Sequence, residues 1–220
     1  MSVVQSSTSG LGSGTSVSDS FDSNVTAGST LVAIALLAPN SVNITGISDD
    51  VNGAYTAIGT QEDGTAFTGQ AYRFEGAASG ATEVTASFSG STAAVVLFII
   101  ELPDGVELDD FAYDTGSGTS ASTGNMTTSE DNVDIVAGFS AGDATVSIEA
   151  GSGFTEIEAV TIVGDAVICE HDDTNSTGSN AATATLSGST TWLAIGAAFK
   201  AAAVGGGGGA RYGLTTLGVG

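Results

Sequence analysis

The sequence predicts an all-β protein, a two-sheet antiparallel β-sandwich with an internal duplication and Gly/Ser-rich ends. Three observations carry that expectation. First, one stretch occurs twice: residues 84–102 read VTASFSGSTAAVVLFIIEL and residues 182–200 read ATATLSGSTTWLAIGAAFK. Each copy has an alternating arm, a Ser-Gly-Ser-Thr segment (Ser89 to Thr92, Ser187 to Thr190) and a long apolar arm. Alternation is the period of a half-buried strand, whereas a run that is apolar on both faces suits a central one. With a Gly-containing segment between them, the two arms read as a β-hairpin. Second, no segment has a helical apolar period, while Gly is abundant (32) and Pro scarce (2). Third, the echo extends outward from the hairpins. Leu31-Val32-Ala33 returns as Ile135-Val136-Ala137, Tyr55 to Ile58 as Phe154 to Ile157, and Ala71 to Glu75 as Ala166 to Glu170. Each half is about 75 residues long, far beyond the period of a solenoid repeat.

Taken in order, residues 1–15 are Ser, Gly and Thr with little to bury, and read as a flexible or partner-bound arm. A sandwich domain is expected over residues 16–203. Its first strands fall near Val17–Phe21, Thr30–Leu37, Val42–Ile47, Ala54–Ile58 and Gln70–Phe74, followed by the first hairpin. Pro103-Asp104-Gly105 is a turn. Residues 103–131 read as an acidic, irregular bridge with one strand around Phe111–Tyr113. The second half, about 132–200, continues through Val133–Phe139, Ala144–Ile148, Thr155–Ile162 and Asp165–Glu170 to the second hairpin, in parallel with the first half at about 29–102. Strands from both halves around one core are the economical packing, with two small sandwiches side by side as the alternative. Residues 204–220 hold a linker, Gly205 to Gly209, and then ARYGLTTLGVG. Arg211, Tyr212, Leu214 and Leu217 on that leash read as a docking strap.

Charge narrows the function classes. Against 25 acidic residues stand three basic ones, Arg73, Lys200 and Arg211, for a net charge of −22. Such a chain repels itself unless salt screens it, and the Debye length falls to about 3 Å at molar salt. The balance excludes nucleic acid and anionic membranes as partners, because both require a basic patch. Cys169 is the single cysteine, so no internal disulfide forms. MSVVQSSTSG has neither a basic nor an apolar segment, so no signal peptide is read, and no apolar run is long enough for a membrane span.

Candidate sites are few. Asp49, Asp50 and Asn52, in an Asp-Asp-Val-Asn-Gly turn, suit a hard cation such as Ca2+ or Mg2+ but lack a full calcium-loop spacing. Asp109-Asp110 with Asp114, and Asp172-Asp173 with Asn175, share that chemistry. Cys169 and His171 point the same way on a strand, two ligands where structural zinc takes four. The one histidine has no nucleophile-elbow pattern beside it, so no catalytic residue is assigned and no cofactor is required. Asn24, Asn43, Asn125 and Asn175 begin glycosylation sequons.

The order TLVAIALLAP, AYTAIGT, AYRFEG, VTASFSGST, GSGFTEIEA and ATATLSGSTTWLAIGAAFK, over residues 16–201, resembles jelly-roll-type β-sandwich modules of surface and tailed-virus structural proteins. With the acidic composition, the chain is similar to virion surface proteins of tailed viruses infecting halophilic archaea, of the capsid turret, vertex or decoration type. That resemblance implies a non-enzymatic structural protein made in the host cytoplasm and carried on the virion. It implies a homo-oligomer, pentamer or hexamer rather than trimer, docked on other capsid or tail proteins. The alternative is a tail-fibre or tail-tip module that binds a host surface receptor or glycan. A glycan site would use the aromatic residues Tyr55, Phe67, Phe111 and Tyr113.

Overall fold

The computed structural model describes residues 2–9, 13–81, 83–162 and 164–202. Within them every regular element is a strand, and every pairing is antiparallel. In the first half these are β1 (Gln5–Ser9), β2 (Gly14–Ser20), β3 (Ser29–Ala38), β4 (Ile44–Asp49), β5 (Gly53–Ala54), β6 (Thr56–Asp63), β7 (Thr68–Phe74), β8 (Glu83–Thr92) and β9 (Ala94–Asp104). The second half contains β10 (Val106–Ser122), β11 (Met126–Thr128), β12 (Asp134–Ala141), β13 (Ile148–Ala150), β14 (Thr155–Ile162), β15 (Asp165–Asp172), β16 (Gly178–Asn180) and β17 (Thr183–Ala201).

Two large sheets form the middle of the molecule. One runs β1-β9-β3-β7-β6 and the other β10-β17-β12-β15-β14. Their facing sides share a core that includes Val32, Ile34, Val96, Phe98 and Ile100 from the first and Val136, Cys169, Leu193, Ile195 and Phe199 from the second. Glycines let the sheets approach: a Cβ at Gly69 would lie 2.8 Å from both Leu36 and Leu193, and one at Gly138 3.0 Å from Ile34. The reverse face of the first sheet packs Leu31, Ala33, Leu97 and Ile99 against Ile47, Val84, Ala86 and Phe88 of a third sheet, β2-β8-β4-β5. On the second sheet, Ile135, Phe139, Ile168 and Ala194 pack against Met126, Ala184 and Leu186. The described residues therefore form three apolar cores, where one core between two sheets was expected.

The alternation read along both apolar arms holds. Val95, Leu97 and Ile99 point into one core and Val96, Phe98 and Ile100 into another. Likewise Leu193, Ile195, Ala197 and Phe199 are separated from Trp192, Ala194 and Ala198. The hairpins do not form. β8 pairs with β2 and β4, and β9 pairs with β1 and β3. In the second copy both arms are one strand, β17, which pairs with β13 and the end of β10 along its first arm and with β10 and β12 along its second. A tight two-residue hairpin turn needs a residue at positive φ, and neither Gly90 nor Gly188 has one. The Ser-Gly-Ser-Thr segments instead carry an extended chain from one layer to the next, as at a sandwich corner.

Two further expectations are corrected. The N-terminal arm is not free, since Gln5–Ser9 pair with Leu97–Glu101 and Gly14–Ser20 join the third sheet. The acidic bridge is largely a strand, because β10 runs along nearly all of β17. The docking strap, Arg211, Tyr212, Leu214 and Leu217, lies outside the described residues.

Phe98 is fully buried between the two large sheets. Phe98→Ala is expected to lower unfolding free energy by about 3–5 kcal/mol, measured by denaturant titration in concentrated salt.

Candidate functional site

The acidic turn at the end of β4 is closed on itself. Asp49 Oδ1 accepts hydrogen bonds from the amides of Val51, at 2.8 Å, and Asn52. Its Oδ2 accepts from Asn52 Nδ2 at 2.8 Å and from the Tyr55 hydroxyl at 3.0 Å. Burial, and then the Asp49 charge, push the Tyr55 phenol far up, so it remains a donor. Asn52 Oδ1 accepts from the Ala78 amide and Asp50 Oδ1 from the Glu83 amide. The three residues expected to hold a cation do meet on one turn. There they tie that turn to the neighbouring loop and to β8, and aspartate commonly closes turns in this way.

The other acidic segments behave alike. Asp172 Oδ1 accepts from the Thr174 amide and hydroxyl, and Asn175 Nδ2 donates to the Val133 carbonyl at 2.8 Å. Asp109 accepts from the Ser129 amide and hydroxyl and sits 3.1 Å from Lys200 Nζ. Burial raises the Asp109 pKa, but those donors and the Lys200 charge outweigh it and hold the carboxyl below its ordinary value. Asp110 and Asp114 cap the amides of Phe111 and Thr115. No group of three or more His, Cys, Asp or Glu among the described residues is arranged to hold a metal ion. Cys169 lies in the central core, where burial pushes its thiol pKa far up.

Buried carboxyl groups, Glu101 and Glu170 among them, escape a reading of the sequence. Glu101, fully buried on β9, accepts from the Thr26 amide (2.8 Å) and Ser29 hydroxyl (2.7 Å) on one oxygen and from Gln5 Nε2 (2.6 Å) on the other. Burial acts to raise its pKa, but these donors prevail and the value is lowered. Gln5 also exchanges hydrogen bonds with Ser23, so Glu101 anchors β1. Glu170, fully buried on β15, accepts from the Gly151 amide at 2.9 Å. A Cβ at Gly151 would sit 1.9 Å from the Thr183 carbonyl oxygen, so only glycine fits there. A lone Glu or Gln in a strand gives no signal for such roles, because the partners lie far away in sequence.

Of the four aromatics weighed for a glycan site, Tyr55 and Phe67 are buried. Tyr113 is half-buried, its hydroxyl donating to the Ile58 carbonyl at 2.7 Å. Phe111 alone of the four is exposed, with its ring 5.6 Å from that of Tyr113. The principal cavity described is a groove of about 350 Å3 between β1 and β14, lined by Ser6, Ser7, Thr8, Ile157, Glu158 and Val160. Compared with known proteins, the chain matches no family model, no curated protein and no solved structure.

Burial pushes the Glu170 carboxyl up to about 7 from an ordinary 4.5, the Asp172 charge adding to the effect and the Gly151 amide opposing it. The folded state thus holds this proton more tightly than the unfolded chain does. The resulting stability is complete below pH 4.5 and is lost as pH rises through about 7. Glu170→Gln keeps an acceptor for Gly151 and removes the ionisation. Thermal melts of this variant between pH 4.5 and 8 are expected to show a shallower fall than the parent; parallel curves would refute the assignment.

Proposed function

We propose that this chain is a structural protein of a virion surface, adapted to high salt and assembled as a closed homo-oligomer on a capsid or tail. The observation that carries the reading is the use made of its polar groups. The acidic segments spend carboxylate oxygens on amides and hydroxyls of the chain itself, and the described basic side chains, Arg73 and Lys200, are paired with Glu75, Glu107 and Asp109. That leaves a strongly acidic all-β body, suited to brine, where salt screens its self-repulsion.

The finer architecture belongs to the same proposal. The two halves are read as duplicated copies of one jelly-roll-type sandwich, packed together through their inner sheets. Support comes from strand order. β1, β9, β3, β7 and β6 occupy the first sheet in the sequence in which β10, β17, β12, β15 and β14 occupy the second. Assembly then uses sheet edges and the docking residues Arg211, Tyr212, Leu214 and Leu217. In this reading nucleic acid is not a partner and the chain does not insert into a membrane.

Light scattering of the full chain in concentrated KCl is expected to give a pentamer or hexamer. A trimer would move the protein to a tail fibre, and a monomer that stays monomeric beside purified capsids would refute the reading. Dialysis to low salt is expected to unfold or dissociate the protein as self-repulsion loses its screen. A circular dichroism spectrum that does not change would count against adaptation to brine.

A further inference from the structure

The two edges of the large-sheet pair differ: the one formed by β10 and β6 is filled, and the one formed by β1 and β14 is a groove. In the second sheet Phe111 and Tyr113 of β10 lie opposite Ala197 and Ile195, which pair in turn with Val136 and Gly138. In the first sheet Ser6 and Thr8 of β1 lie opposite Ile100 and Phe98, which pair with Val32 and Ile34. Counted outward from the central strands, Ser6 and Thr8 therefore hold the places that Phe111 and Tyr113 hold across the molecule.

At the filled edge the two rings close the gap between the sheets. The Phe111 ring lies against Gly59, where a Cβ would come within 2.5 Å of it. The Tyr113 hydroxyl donates to the Ile58 carbonyl and accepts from the Ala71 amide. At the other edge short hydroxyl side chains leave the gap open, and the half-buried Ile157 and Val160 stand on its far wall beside the exposed Glu158. β14 is bulged between Glu156 and Glu158, and a bulge discourages pairing along a free edge. β1 has no register shift against β9, has no charged side chain, and among the described residues pairs on that one side alone. Its open edge is the one suited to receive another strand.

We propose that this groove docks an extended segment of a partner protein, added beside β1, that carries two large side chains two residues apart and a basic residue next to them. The filled edge supplies the template. Alternate residues of an extended segment share a side, so two large side chains at that spacing fill the gap that Phe111 and Tyr113 fill across the molecule. Charge selects a basic partner. Glu158 is the charged residue of the lining, and Arg73 and Lys200 are already paired with acids elsewhere. An acidic segment, the β10 of a second copy included, meets a like charge there. The apolar wall of Ile157 and Val160 supplies the affinity and Glu158 the choice of partner. This docking site does not depend on the virion reading.

Titration of the full chain in concentrated KCl against a fluorescent peptide, Lys-Lys-Phe-Ala-Tyr-Lys-Thr, tests it. The peptide copies Asp109–Thr115 of β10 with lysine in place of each aspartate. Its anisotropy is expected to rise and saturate, and serine in place of its Phe and Tyr should weaken binding at least roughly tenfold. Glu158→Lys, at an exposed position, should weaken binding by roughly threefold and favour instead the acidic parent peptide, Asp-Asp-Phe-Ala-Tyr-Asp-Thr. Ser6→Phe with Thr8→Tyr gives β1 the two rings of β10 and should abolish binding, with circular dichroism showing that the sheets are kept. If that pair disturbs β1, Glu158→Lys still decides. A titration without saturation, or binding that neither variant changes, would overturn the proposal. So would self-association of the chain that Ser6→Phe with Thr8→Tyr removes, since the groove would then hold a second copy.

Discussion

Everything in this molecule depends on burying the two large sheets against each other. A strand such as β3 is apolar on both faces, so it is stable only with a packed layer on each side, and it has them: Val32, Ile34 and Leu36 face one core and Leu31, Ala33 and Leu37 another. The same holds for β9, β12 and the second arm of β17. With sheet stacked on sheet in this way, the hydrophobic driving force lies in strand centres, while side chains at the outer edges are free to be acidic. A small residue at the contact, as at Gly69 and Gly138, lets large neighbours close the layer.

The polar interior follows from that arrangement. Chain crossing between layers leaves backbone amides in places where no sheet partner exists, and buried carboxyl groups take several of them. Glu101 receives Thr26 and Glu170 receives Gly151. The two differ in balance: many donors lower the pKa of Glu101, while burial prevails at Glu170. One holds its charge as an anchor for β1 and the other binds a proton near neutrality, a contrast set by the number of donors rather than by residue type.

Much of this was legible in the sequence, and the failures have physical causes. Strand existence and the division of faces along Val95–Ile100 and Leu193–Phe199 follow from alternation alone. The Ser-Gly-Ser-Thr segments misled because composition cannot distinguish a reversal from a corner; the sign of φ at Gly90 and Gly188 decides, and that depends on which sheet receives the next arm. Sequence echo and spatial correspondence also part company. By sequence Ala71 answers Ala166, yet by pairing Ala71 sits opposite Ile34 while Cys169 sits opposite Gly138, the corresponding place in the second sheet. β1 was missed because Gln-Ser-Ser-Thr-Ser has no apolar side; its strand state comes from pairing with β9 and from Gln5 bound to Glu101. At Asp49, Asp50 and Asn52 the sequence located a real acidic turn, while the donors and acceptors it meets at Tyr55, Ala78 and Glu83 cannot be seen in a one-dimensional pattern.

The position of β17 has a consequence for how the chain is made. It is the last described strand in the sequence, yet it lies inside the second sheet, with β10 on one side and β12 on the other. During synthesis the first sheet has all its strands once β9 has emerged, and β12, β15 and β14 can pair once residue 172 is out, whereas β10 must wait for β17 before it finds its sheet partner. Contacts so distant in sequence form slowly. The second half therefore emerges as a lone strand, β10, and a β12-β15-β14 sheet whose β12 edge stays open until β17 arrives between them. The exposed face of that first sheet, already apolar, is the surface on which the later strands collect.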